Sequence, residues 1–240
     1  MPTYVYFIIA VVIVALIIIY LFTRKKAAKK GGVHHGKTDT RYSNAPLDSE
    51  KKRALAHGAI LAHFNGEEPL LMQLTKREDE FIYGLRNRWG ITDRESAIQA
   101  LDDLMELKKS KQMDTHVLQT KENPEFQKLY DQMSAELNAP VSELKKVDST
   151  YAWDTTRAIS IARWSFWSGY ITEDEAWSYI TKASSIAQST GENWTEYTCS
   201  FLLGRLLHGF DIDGIVEDCG KLLRGEGQLA NGVYKENPFK

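Results

Sequence analysis

The sequence predicts an all-α protein: a single multi-helix globular domain of eight to ten helices behind one N-terminal transmembrane helix. Three observations point there. An uncharged apolar and aromatic run, Tyr4 to Phe22, opens the chain. From Asp48 onward, apolar residues recur at helical spacing between recognisable caps. No segment alternates apolar and polar residues between hairpin turns, as a half-buried sheet would. The 240 residues are 43% hydrophobic and 26% charged, a balance that sustains a packed core rather than a disordered chain. Four parts follow: an anchor over 1–23, a basic and polar linker over 24–47, the all-α domain over 48–224 and a C-terminal tail over 225–240.

The run Tyr4–Phe22 would form a helix of roughly 29 Å at 1.5 Å per residue, close to the hydrocarbon thickness of a bilayer. Tyr4, Tyr6 and Tyr20 stand near its ends, where amphipathic rings favour the interface. A cleaved signal peptide would carry a basic start, a shorter apolar core and a small-residue cleavage site, and none of these is present. Arg24, Lys25, Lys26, Lys29 and Lys30 follow the run. By the positive-inside rule they place the main domain in the cytoplasm of a single-pass inner-membrane protein, with the N-terminus outside. The same cluster offers contact to anionic lipid, although setting topology is the preferred reading. Residues 1–41 hold seven Lys or Arg against Asp39, a balance of +6, which leaves the remainder acidic. An acidic domain argues against a nucleic-acid partner. His34 and His35 are adjacent and without a third ligand nearby, so the linker reads as solvated chain. No cofactor or metal is expected.

Asp48 or Ser49 caps a first helix ending near Asn65 and Gly66. A second covers Lys76–Trp89, with Phe81, Ile82, Leu85 and Trp89 as its apolar face and Gly90 as its stop. Thr92 to Glu95 reads as a capping box, followed by the stripe Ile98, Leu101, Leu104, Met105 and Leu107. Asn123-Pro124 opens a helix to about Leu137, and Pro140 a short one through Val147. Ser149 or Thr150 caps a helix to about Ser168. Further helices cover Glu173–Gln188, Trp194 to about His208 behind Asn193, and Asp213 to about Arg224. The tail, with three Gly and one Pro, reads as loop. The turns Gly90–Glu95 and Tyr170–Glu175 share Ile, Thr and Glu and read as recurring turn chemistry.

The helix Tyr151–Ser168 is apolar all round, with Trp153, Ile159, Ile161, Trp164, Phe166 and Trp167, and so should be central and buried. It also carries Asp154, Arg157 and Arg163, which need partners if buried. Asp154 and Arg157 are spaced to pair, and Glu175 and Arg205 are further candidates. The pieces Ala152-Trp153-Asp154 with Arg157, Ala162-Arg163-Trp164, Gly169-Tyr170-Ile171 with Glu175-Ala176-Trp177, Trp194 with Tyr197, and Leu203-Gly204-Arg205 together resemble the bacterial domain of unknown function 1266. Upstream, Arg88-Trp89-Gly90-Ile91 with Arg94 and Ala97 resembles it too. The resemblance covers about residues 50 to 210 and excludes the anchor. It implies an all-α fold in a bacterial cytoplasm and no established activity.

The candidate polar cluster is therefore Trp153, Asp154, Arg157, Arg163, Glu175 and Arg205. It reads either as an ion-pair network locking helix packing, the preferred reading, or as a pocket floored by Trp in which arginines grip an anion and a carboxylate serves as base. No metalloprotease, phosphate-loop, nucleophile-elbow or dinucleotide motif is present, and no catalytic residue is assigned. The stretch Asp211-Ile-Asp213-Gly214 lacks the Glu a calcium loop needs at residue 222, which is Leu. Cys199 and Cys219 are too few for a disulfide scaffold, and Cys199 reads as an inert core thiol. The leading functional expectation is a membrane-tethered cytoplasmic module that binds a protein in a regulatory, stress-related or toxin-neutralising role. The alternative is an enzyme or anionic-ligand sensor built on the cluster.

Overall fold

The computed structural model describes residues 46–74 and 78–240. The expected anchor Tyr4–Phe22, the basic cluster Arg24–Lys30 and the pair His34-His35 lie outside them. Among the described residues no helix is long and apolar enough to cross a membrane, and every regular element is helical. The helices are α1 Ser49–Ala56, α2 Ala59–Phe64, α3 Glu78–Trp89, α4 Arg94–Met105, α5 Lys108–Glu122 and α6 Pro124–Leu137. They continue with α7 Val141–Leu144, α8 Tyr151–Trp167, α9 Glu173–Thr190, α10 Trp194–Leu207, α11 Ile215–Arg224 and α12 Val233–Glu236. Two of them, α7 and α12, are single turns of four residues.

Helix α8 is the axis of the fold: 14 of its 17 residues are buried. Its apolar residues on all sides leave no face for water. Its first half, with Tyr151 and Trp153, joins a core built from α6, α10, α11 and the C-terminal residues. Its second half, with Ile159, Ile161 and Phe166, joins a second core shared with α3, α4 and α9. Close approach rests on glycine in two places. A Cβ on Gly204 would overlap that of Trp153, and one on Gly58 would come within 2.5 Å of Ile159 Cγ2. Both positions therefore exclude larger side chains.

The caps at Asp48 and Asn193 form as the sequence predicts, and the turn Tyr170–Glu175 closes a capping box between Thr172 and Glu175. Four other features differ. The first helix breaks at His57-Gly58, because the His57 carbonyl accepts from Tyr197 Oη at 2.6 Å and from Thr156 Oγ1 at 3.2 Å and so leaves the helical ladder. The capping box before α4 is Asp93 with Ser96, one residue later than Thr92 with Glu95. The short hydroxyl of Ser96 reaches back where Glu95 was expected to.

Third, α5 is a separate helix without a predicted counterpart. It buries only Ser110, Val117 and Thr120, too weak a stripe to announce itself. Fourth, the tail is part of the core. Tyr234 stacks on Trp194 with ring centres 4.0 Å apart, and Trp194 Nε1 donates to Asn237 O at 3.0 Å. Ala230, Val233 and Phe239 are buried beside them. Three glycines supply the turns that fold this segment back, since Gly225, Gly227 and Gly232 all have positive φ.

Candidate functional site

The six cluster residues occupy four places rather than one. Asp154 and Arg157 pair along α8 around Trp153. Arg163 pairs with Glu67, which precedes α3, at 3.3 Å. Glu175 pairs with Arg94 at the start of α4. Arg205 on α10 meets none of these carboxylates; its Nε donates to Asp211 O at 2.7 Å. The expectation that Glu175 and Arg205 complete the α8 pairs is corrected: the helical turns that separate these residues point them at different neighbours.

Asp154 is fully buried, and its position follows from helix-end chemistry. The N-terminus of α5 follows Leu107, whose side chain cannot cap it. Asp154 Oδ2 fills that role from α8, accepting from Ser110 N at 2.9 Å. The other helix receives the same service. Asp114 of α5 accepts from Thr150 N at 2.7 Å and Thr150 Oγ1 at 2.9 Å, at the start of α8. Each helix thus supplies the carboxylate that caps the other. Ser110 Oγ donates to Thr150 O at 2.8 Å and closes the pair. The second oxygen of Asp154 takes Arg157, whose guanidinium is pushed below its ordinary pKa by burial and drawn back up by Asp154.

Arg163 is a fastener. Burial lowers its pKa and Glu67 opposes that shift. Its Nη2 donates to Glu68 O at 3.2 Å. Trp164 Nε1 donates to Glu67 Oε1 at 3.2 Å, and Trp167 Nε1 to Met72 O at 2.8 Å. These polar hooks, gathered within little more than one turn of α8, hold the segment after α2 against the core. The pair is sealed, with both side chains 1% exposed. At the surface, Glu175 also closes the capping box of α9 with Thr172, and these hydrogen bonds with Arg94 hold its carboxyl below the usual range. The two echoing turns of the sequence therefore meet through Arg94 and Glu175.

What the structure does assemble is a ladder of aromatic rings and arginines. Arg157 Cζ lies 5.2 Å from the Trp89 ring centre and 4.4 Å from that of Trp153. Trp153 faces Phe210 at 5.9 Å. Arg205 Cζ lies 5.5 Å from Phe210 and 5.3 Å from Phe64. His208 stacks on Trp153 at 5.7 Å, its pKa lowered by burial and then by Arg157. Trp153 is buried and Trp89 and Arg157 are half-buried, whereas Phe210 is 51% and Phe64 41% exposed. Rings around a guanidinium limit its hydration and leave its charge available across the ring faces. Phe64, Phe210 and His208 carry no signal in the sequence. Phe64 ends α2 while His208 and Phe210 follow the end of α10, and only the packing of α2 against α11 and α8 against α10 brings them together.

The remaining reactive groups are closed off. Cys199 and Cys219 are free and buried, with thiols pushed up by burial, and Cys199 is an unreactive core thiol as the sequence predicts. Among the described residues no three His, Cys, Asp or Glu side chains gather as a metal would need.

No curated protein sequence and no solved structure matches the chain. A family model described as "Protein of unknown function (DUF1266)" matches residues 84–227, beginning inside α3 and ending beyond α11. That span holds the reciprocal caps, Arg163 and most of the ladder, and it exceeds half of the 240 residues: the chain belongs to the DUF1266 family.

Proposed function

We propose that the chain is a bacterial, membrane-anchored cytoplasmic module that binds a protein partner through the outer end of the aromatic–arginine ladder. One observation carries this: Phe64 and Phe210 bracket Arg205 at the surface, and no carboxylate of a described residue forms an ion pair with it. Aromatic rings and arginine are the residues that dominate protein interfaces, and an arginine already stripped of part of its water by flanking rings costs less to bury. The chemistry fits a partner surface that presents a carboxylate within an apolar rim. The apolar run Tyr4–Phe22 and the basic residues behind it support the tether and its orientation. An enzyme or sensor reading of the original cluster draws less support, since Asp154 with Arg157, Arg163 with Glu67 and Glu175 with Arg94 each serve a cap or a loop anchor, and Arg205 stands apart from them.

The test is photo-crosslinking in native membranes from a probe residue at position 210, with a probe at the exposed position 95 as control. A discrete adduct from position 210 that disappears with Arg205→Glu supports the reading. Equal labelling from both positions, or an adduct indifferent to Arg205→Glu, overturns it.

A further inference from the structure

Away from the ladder, a cleft of about 690 Å³ opens between the residues around α7 and the turn joining α9 to α10. That volume lies within the range of small-molecule sites. Its floor is apolar: Ala139, Leu144 and Val147 line it and are buried. Four carboxylates also line it, Glu143, Asp148, Glu192 and Glu196. Three of them have a lysine. Lys146 meets Glu143 at 2.7 Å, Lys240 meets Glu192 at 3.0 Å, and Lys121 meets Asp148.

Among the described residues Glu196 has no ion pair of its own; Lys240, bound to Glu192, acts on it only from further off and favours its charged form. Its Oε2 accepts from Tyr151 Oη at 2.8 Å and from Glu192 N at 3.1 Å, while Oε1 accepts from no described residue. The carboxyl is half-buried, and burial raises its pKa. A carboxylate drawn partly out of water without an ion pair of its own is a standing cost, which a bound cation would relieve. The turn is shaped to hold it there. A Cβ on Gly191 would overlap Tyr151 Oη and come within 2.5 Å of Glu196 Oε2, so glycine is what lets phenol and carboxylate meet.

We propose that this cleft is a binding site for a short alkylammonium group, with Glu196 as its counter-ion, Tyr151 as the residue that orients the carboxylate, and the apolar floor as the bed for the carbon chain. The inference stands apart from the ladder, since it shares no residue with it. The ammonium can be that of a free amine or of a lysine side chain, and two probes separate these sources: n-butylamine, and lysine capped at both its amino and carboxyl ends.

Each probe is titrated into the ¹⁵N-labelled full chain near pH 7.5. The expected result is saturable shifts of the amides of Gly191, Glu192 and Glu196 with at least one probe, and affinity that falls as the pH is lowered and Glu196 takes up a proton. Tighter binding of butylamine assigns the site to free amines, and tighter binding of capped lysine to a side chain. Glu196→Gln keeps an acceptor for Tyr151 and removes the charge, so it should weaken binding at least tenfold with melting unchanged. Tyr151→Phe keeps the charge and should retain binding. No saturable shift with either probe in the wild-type chain overturns the proposal, as does unchanged affinity in Glu196→Gln.

Discussion

Asp154→Ala tests whether the reciprocal caps hold the domain together. The substitution removes two things at once. It leaves Arg157, whose side chain is only 14% exposed, without its counter-ion, and it leaves the buried N–H of Ser110 without an acceptor. Breaking a buried pair by deleting one partner costs about 3–5 kcal/mol, and the lower end applies because Arg157 keeps a little solvent and the faces of Trp89 and Trp153. Loss of a helix cap adds about 1 kcal/mol. The sum is about 4 kcal/mol, and at roughly 2–4 °C per kcal/mol for a domain of this size Tm should fall by about 8–16 °C. The compact unit Tyr42–Lys240 is the material to melt, followed by circular dichroism. Asp154→Asn, which keeps an acceptor for Ser110 and loses the charge, should fall between wild type and Asp154→Ala. A change in Asp154→Ala within about 2 °C of wild type would refute the reasoning and free Asp154 for another role.

Three further outcomes follow from the packing. His57 is fully buried among Trp194, Tyr197 and Phe239, and burial lowers its pKa from 6.5 to about 4. The unfolded chain takes up this proton below pH 6.5 and the folded one only near 4. Its contribution is therefore complete above pH 6.5 and falls by ~3 kcal/mol as the pH drops to 4; urea titrations across that window should show the slope, and His57→Gln should flatten it. Gly204→Ala forces a methyl into Trp153 and should cost about 1–3 kcal/mol, read as a lower urea midpoint with unchanged m-value. Ending the chain after Arg224 uncovers Trp194, which should shift tryptophan emission to the red and cost several kcal/mol for the buried Val233, Tyr234 and Phe239 contacts; unshifted emission would place the tail outside the core.

The fold class and most helix ends were legible in the sequence because they depend on near neighbours. Asp48, Thr172 and Asn193 act within three residues of themselves, and helical periodicity is a property of one segment at a time. The all-round apolar character of Tyr151–Trp167 likewise announced a central helix. The site was legible in its residues but not in its grouping. Sequence spacing could pair Asp154 with Arg157, three positions along one helix. It could not pair Arg163 with Glu67 or Glu175 with Arg94, which lie 96 and 81 positions apart. Helix α5 and the C-terminal tail were hidden for the same reason. One is held by hydrogen bonds from α8 rather than by an apolar stripe, and the other by the contacts of Tyr234, Asn237 and Phe239 with Trp194 and its neighbours. Local caps and periodicity are written in consecutive residues and determined the elements. The partners of the buried charges, the exposed bracket of Phe64 and Phe210 around Arg205, and the unpaired carboxylate of Glu196 exist only once the helices pack, because each depends on which turn of one helix faces which turn of another.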